Sequence, residues 1–266
     1  MTTQSVPAPA ALSREAPGLG GFNVTVLRLE IRRLLRNRRT VIFALIFPVV
    51  FFLAFGLNKA YASDRAGHGN VSAFVMISMA LYGAVLATTS GGAMVSIERA
   101  AGWSRQLRLT PLSPVAYIVI KMLTAMVLGL ASVVVVFAVG GLTGKPSMPM
   151  YLWIVSAASV WIGSLVFAAF GLFMGYLLPT ENVMQFLGLG LALLSFAGGL
   201  FIPLSQFPHI LQDIAEYTPL YGLNQLVHAP LLGEGVHVAW AANAIAWLVI
   251  FAGGAVWRFR KDTARV

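Results

Sequence analysis

Six long hydrophobic runs, almost free of charge, alternate with short polar segments along this chain. They cover about Thr40–Leu57, Val71–Ile97, Tyr117–Leu142, Met150–Leu178, Val183–Leu204 and Val236–Trp257. A helix of about 20 apolar residues crosses the roughly 30 Å of bilayer hydrocarbon. Inside lipid only the chain itself can satisfy backbone N–H and C=O groups, so each run is predicted to be a helix. The first run is the shortest. The pattern predicts an all-α membrane protein with six transmembrane helices.

The segments between the runs have patterns of their own. From Phe22 to Asn37, Leu27, Ile31, Leu34 and Leu35 recur at helical spacing, with Arg28, Arg32, Arg33 and Arg36 among them. This predicts an amphipathic helix lying in the membrane interface. It serves either as a topology anchor or as an elbow that carries motion into the first span. The 58–70 and 143–150 segments read as short loops, and Pro179–Asn182 as a tight turn. The 205–235 segment is unusually apolar, and Ile210, Leu211, Ile214 and Tyr217 are spaced as on a helix. Pro203, Pro208, Pro219 and Pro230 divide it into pieces. Non-helical backbone at membrane depth has to be covered by protein. Short half-helices packed over the spans, or dipping into the outer leaflet, are therefore expected before the last span. Residues 1–22, rich in Pro, Ala, Ser and Gly, read as a flexible tail, and 23–266 as one transmembrane domain.

Composition agrees with a membrane protein. Hydrophobic residues make up 58% and charged residues 10%, against about 25% charged in soluble domains. The net charge is +9, and its placement is informative. Fifteen of the 18 Lys and Arg residues flank alternate ends of the runs; Lys59, Arg65 and Lys145 fall on the other side. The positive-inside rule then puts both termini and the 98–115 loop in the cytoplasm, as expected for a bacterial inner-membrane protein. Basic residues at a lipid boundary set topology and attract membrane lipids, so nucleic acid is not an expected partner. Cysteine is absent, which removes thiol and disulfide chemistry.

Candidate chemistry is sparse. No span interior carries Asp, Glu, Arg or His, and Lys121, near the end of the third run, is expected to snorkel to the interface. The lack of ionisable groups argues against a proton relay. His68, His209, His228 and His237 lie in or beside outer loops without metal-ligand spacing and read as interfacial polar residues. Gly140–Pro146 misses the phosphate-loop fingerprint at both ends, at Val139 and Pro146. The chain therefore offers no metal site, no catalytic group and no nucleotide site of its own.

The most specific segment is the 98–115 loop. It carries Glu98, Arg99, Gly102, Trp103, Arg105, Leu107, Arg108, Leu109, Thr110, Pro111 and Ser113, followed by Lys121. Trp103, Leu107 and Thr110 share a helical face, and the arginines supply charge. Such a helix is either a plain interfacial connector or a surface that a cytoplasmic partner can grip.

Here the chain resembles the ABC-2 type permeases of ATP-binding-cassette exporters, including drug and antibiotic exporters. The likeness rests on Glu98, Arg99, Gly102, Leu107, Leu109, Thr110, Pro111, Ser113 and Lys121. Pro48, Gly56, Gly171, Gly175, the run Gly198–Pro203, Pro208 and Tyr217–Pro219 extend it along nearly the whole chain. Ala100 departs from the family's frequent Glu, which puts one charge contact in doubt. The resemblance implies an elbow helix, six spans, a coupling helix between spans two and three, and half-helices before span six. It implies that Glu98, Arg99, Gly102, Trp103, Arg105, Leu107, Arg108, Thr110 and Pro111 couple to the partner. That partner would be a separate ATPase subunit holding ATP and magnesium, with a second permease copy, identical or similar, beside this one. The function expected is export of an amphiphile such as a drug, antibiotic or lipid-like molecule. Export of a polysaccharide or lipid-linked glycan, or secondary transport, are the alternatives. Phe47, Phe51 and Phe55 form a stripe on span one, and Met76, Met79 and Met94 lie in span two. Aromatic and Met faces adapt to varied apolar ligands, so Phe47, Phe51, Phe55, Met76 and Met79 are candidates for a substrate path; lipid-facing or core packing is the plainer explanation.

Overall fold

The structure, a computed structural model, describes residues 18–103, 112–202 and 204–264. The first helix, α1 (Val24–Arg36), starts where the Asn23 side chain accepts a hydrogen bond from the Thr25 N–H at 2.7 Å. It ends at Asn37, whose side chain accepts from the Thr40 N–H and so caps α2 (Arg38–Phe51). One asparagine thus closes one helix and opens the next, and the two axes turn by 65°. Ahead of α1, a short 3-10 turn at Gly18–Gly21 meets the start of a later helix, the Ser113 N–H donating to the Gly20 carbonyl at 2.8 Å.

Pro48 sits inside α2. It has no N–H to offer the carbonyl of Ala44, and Ser132 Oγ donates to that carbonyl instead at 3.2 Å. A π-helical turn, Phe52–Gly56, follows directly. The 58–70 segment, expected to be a plain loop, contains a small antiparallel hairpin, β1 (Arg65–Ala66) with β2 (Gly69–Asn70). The hairpin ties loops together. Asn70 Nδ2 donates to the Lys145 carbonyl, Asn70 Oδ1 accepts from the N–H groups of Ser147 and Ala73, and the His68 N–H donates to the Leu231 carbonyl.

The helix α3 (Val71–Ala93) continues past a break at Met94 into α4 (Val95–Ala100), and 78% of the best spanning window of this stretch is buried. It is the central post of the bundle. Small residues explain why: Gly83, Gly91, Gly92 and several Ala, Ser and Thr residues allow neighbouring backbones to approach closely. On one side packs α5 (Pro114–Thr143), capped by Ser113 and ended by Gly144 in the left-handed region. On another packs α7 (Leu165–Leu177), which follows α6 (Met150–Gly163) after a break at Ser164. At the α3–α7 crossing, Gly171 lies directly on the Thr89 carbonyl, with no room for a Cβ.

The apolar helix α8 (Thr180–Ala197) is shorter than the hydrophobic run that predicts it. Gly198 and Gly199, the latter at φ +74°, turn the chain, and Asn224 Nδ2 donates to the Gly198 carbonyl. The hydrophobicity of Leu200, Phe201 and Ile202 carried the expected span to Leu204, but these residues belong to the turn. Two short helices follow, α9 (His209–Glu216) and α10 (Tyr221–Leu232), before α11 (Val238–Ala264). Half-helices before the last span are thus present. Pro230, expected to break this segment, sits inside the last turns of α10. On α11 only 11% of the spanning window is buried, so it lies at the periphery.

Among the described residues, four helical stretches are long and apolar enough to span a bilayer: Val71–Ala100, Pro114–Thr143, Met150–Leu177 and Val238–Lys261. The bent α1–α2 pair is a fifth candidate, and α8 is a shorter apolar helix. Apart from the hairpin, the chain is an all-α, multi-pass membrane protein. The end of the bundle that holds α1 and α4 is its basic end; the hairpin marks the other.

Candidate functional site

The short helix α4 lies at the basic end, where α3 gives way to the 98–115 segment. Gly102 stops it at φ +76°, a left-handed conformation that glycine adopts without steric cost. Glu98 and Arg99 are adjacent and therefore point about 100° apart around the helix axis. Each meets a different set of partners.

Glu98 is turned inward and is only 4% exposed. Its Oε1 accepts from Lys121 Nζ at 2.6 Å and from Arg33 Nη1 at 2.9 Å. Its Oε2 accepts from the Tyr117 hydroxyl at 2.6 Å. Lys121 Nζ also reaches Glu30 Oε2 at 2.6 Å. Two carboxylates and two cations therefore alternate across α1, α4 and α5. Lys121, expected to snorkel outward, is instead buried, because Glu30 and Glu98 offer it opposite charge inside the bundle. A crevice of about 20 Å³, room for a single water, opens among Glu30, Arg33, Leu34, Gly91, Met94, Glu98, Lys121 and Thr124.

Arg99 turns toward the end of α7. Its Nη1 donates to the carbonyls of Gly175 and Tyr176 at 3.1 and 2.7 Å, and its guanidinium lies 5.5 Å over the Tyr176 ring. The last carbonyls of a helix lack intrahelical donors and carry partial negative charge, so a cation there is favourable. Phe259 of α11 then packs against both Tyr176 and Tyr117. Through these two residues α4 is fastened to α1, α5 and α7, and α11 packs on α5 and α7 through Phe259.

Of the sequence-predicted coupling residues, Glu98 and Arg99 point into the bundle, while Gly102 and Trp103 follow at its surface, Trp103 being 37% exposed. Arg105, Leu107, Arg108, Thr110 and Pro111 lie outside the described residues. The candidate path residues separate as well. Phe43, Phe47, Phe51 and Phe55 form a ladder with centroids 5.4, 4.5 and 5.7 Å apart. Tyr82 and Phe201 join it, in contact with each other at 5.0 Å. Phe43 and Phe55 stay exposed. Met76 and Met79 are buried in the packed core and line no open surface.

Glu30 and Tyr117 are not among the residues that the sequence pattern singles out. A signal for the former existed: Glu30 is the one acid among the arginines of α1, and Lys121 the one charge in its hydrophobic run. His228, expected at the interface, is buried between α10 and α3. Its Nε2 lies 3.0 Å from Ser78 Oγ, its Nδ1 2.9 Å from the Asn224 carbonyl, and its ring 4.2 Å from that of Phe74. Burial holds its pKa below the usual imidazole range, against the smaller opposing effect of its backbone hydrogen bonds.

Over 196 residues the chain is 29% identical to the "Putative transport permease YvfS" of Bacillus subtilis (strain 168), an alignment covering 72% of this chain and 78% of that protein. The ABC-2 type transporter family matches residues 23–231, from the start of α1 almost to the end of α10. With most of its length matched, the chain belongs to the ABC-2 type transporter family.

Proposed function

We propose that this chain is the permease subunit of an ATP-driven exporter, powered by separate ATPase subunits that hold ATP and magnesium. The basic end faces the cytoplasm of a bacterial cell, because the basic residues gather there. The ATPase grips the segment from Gly102 to Pro111, with Trp103 as an apolar anchor. The observation that carries this reading is the fastening of α4. A push on a free loop would dissipate locally. A push on α4 reaches α1 and α5 through Glu98, and α7 through Arg99. Nucleotide and transported molecule then bias one equilibrium between two arrangements of the helices.

A second copy of the permease, or a similar chain, packs against exposed apolar residues of α2 and α8. Ile42, Phe43, Ile46 and Val50 on α2, and Phe186, Leu189 and Leu193 on α8, are exposed there. The neighbouring Phe47, Phe51 and Phe55 ladder suits an amphiphilic substrate, a drug, antibiotic or lipid-like molecule. The test is reconstitution. Permease co-purified with its ATPase should hydrolyse ATP and move amphiphile across vesicles, and purified permease alone should do neither. Saturable, magnesium-dependent hydrolysis by the permease alone would sink the reading.

A further inference from the structure

The surface of α1 that faces away from the bundle carries a cluster of cations. Leu29, Arg32, Arg33 and Arg36 follow i, i+3, i+4 and i+7 spacing, so they form one stripe. They line an open groove of about 550 Å³. Arg33 directs Nη1 to Glu98 and keeps about half its side chain exposed, 52%. Arg32 and Arg36 are exposed, and among the described residues neither makes an ion pair. Glu30, the one acid of α1, is turned toward Lys121 instead. Among the described residues, the groove therefore holds three cations and no carboxylate. Leu29, 59% exposed, adds an apolar wall. One residue beyond Arg36, Asn37 turns the chain into α2 and the bilayer-crossing run begins.

We propose that this groove binds the phosphate of an anionic phospholipid headgroup, in the leaflet at the basic end of the bundle. The planar guanidinium groups of Arg32 and Arg36 can each donate paired N–H bonds to phosphate oxygens, a geometry that lysine lacks. An anionic leaflet concentrates such headgroups at a basic juxtamembrane helix. Leu29, with Val24 and Leu35 also exposed on α1, favours a phosphate that carries acyl chains over a free one. The groove's place beside the entry of α2 into the bilayer favours lipid over an acidic protein surface. Arg33 belongs both to the groove and to the Glu98 cluster, so a bound headgroup draws on the same guanidinium that links α1 to α4. Lipid occupancy thereby biases the position of α1 against α4. This proposal is independent of the ATPase reading, because lipid binding is measured on the permease alone.

The experiment is native mass spectrometry of the full-length chain, released from mixed micelles of phosphatidylglycerol and phosphatidylcholine. The wild type should retain phosphatidylglycerol selectively. Arg32→Gln/Arg36→Gln should bind it at least about tenfold more weakly, while Arg38→Gln/Arg260→Gln, with the same loss of charge at the same end, should not. Arg32→Lys/Arg36→Lys keeps the charge without the fork and should show an intermediate loss. It also carries the test should the glutamine variant fail to fold. Equal loss in both glutamine pairs would mean diffuse charge attraction and overturn the site. Displacement of the lipid by millimolar inorganic phosphate would assign the groove to free phosphate and overturn it too. Unchanged lipid retention together with loss of a co-purifying acidic protein would assign the groove to that partner and equally end the proposal.

Discussion

Lys121 Nζ lies 2.6 Å from Glu98 Oε1, and both side chains are buried where α4 meets α5. Taking two charges out of water is offset only when further hydrogen bonds complete their shells. Arg33 and Tyr117 do this for Glu98, and Glu30 does it for Lys121. The pair is therefore the centre of a closed group, and removing one member leaves the others uncompensated.

Glu98→Ala or Lys121→Ala alone should cost about 3–5 kcal/mol of stability, as expected when one partner of a buried pair is lost. The double replacement Glu98→Gln/Lys121→Met should cost less than the two single losses added together. Thermal unfolding of purified protein in one detergent measures all three. Single losses below about 1 kcal/mol would show that the pair does not hold α4 in place.

Trp103→Ala should uncouple transport more than Arg108→Ala, at matched expression, because aromatic anchors dominate interfaces while rim charges contribute less. The readout is substrate-stimulated ATPase activity of the co-purified complex. Wild-type stimulation with normal retention of the ATPase in Trp103→Ala would remove Trp103 from the interface. It would then serve only as an anchor at the lipid boundary, where Trp is common.

Gly171→Ala should destabilise the bundle by about 1–3 kcal/mol, because the added methyl has to displace the Thr89 backbone at the α3–α7 crossing. Gly190→Ala, on the open side of α8, meets nothing within 4 Å and should leave monomer stability unchanged or raised. Equal unfolding temperatures for the two variants would contradict the crossing seen here.

His228 gives stability a pH dependence of definite sign. Its pKa in the folded chain lies below the ordinary 6.5, because burial disfavours the imidazolium. Between the two values the unfolded chain binds more protons, so the contribution is present above about pH 6.5 and is lost as pH falls. The slope from this one group is at most about 1.4 kcal/mol per pH unit. In His228→Gln the part of the acid-side decline due to this group should vanish. An identical decline in wild type and variant, followed by unfolding temperature from pH 7.5 to 5, would rule this out.

A reporter active only outside the cytoplasm, fused to the C-terminus, should stay silent, since Arg258, Arg260, Lys261 and Arg265 follow the last run. Strong activity would invert the topology and move the coupling surface to the wrong face for an ATPase.

Much of the fold follows from local pattern. The asparagines that cap α1 and α2, the Gly102 and Gly144 stops, and the half-helices between Pro208 and Leu232 are marked by residues within a turn of where they act. The end of α8 escaped the same logic. Hydropathy is blind to backbone dihedrals, and Leu200–Ile202 remain apolar while the chain turns at Gly199. The candidate site is similar: Glu98, Arg99 and Trp103 stand out in the sequence, but not which of them face inward.

Hydrophobic runs long enough to span a bilayer, and the gathering of basic residues on one side of them, are consequences of composition along the chain. Because lipid cannot satisfy a peptide group, those runs had to become helices whatever surrounds them. Which helical faces meet was decided only by the tertiary structure. Glu98 finds Arg33 across 65 positions, and Lys121 finds Glu30 across 91. Ser132 completes the carbonyl that Pro48 leaves open 88 positions away, and His228 is buried against Ser78. Glycine and alanine let α3 be enclosed from several sides, so that helices distant in sequence pack around it. The enclosure joins segments far apart in the chain, and no local period or spacing encodes it.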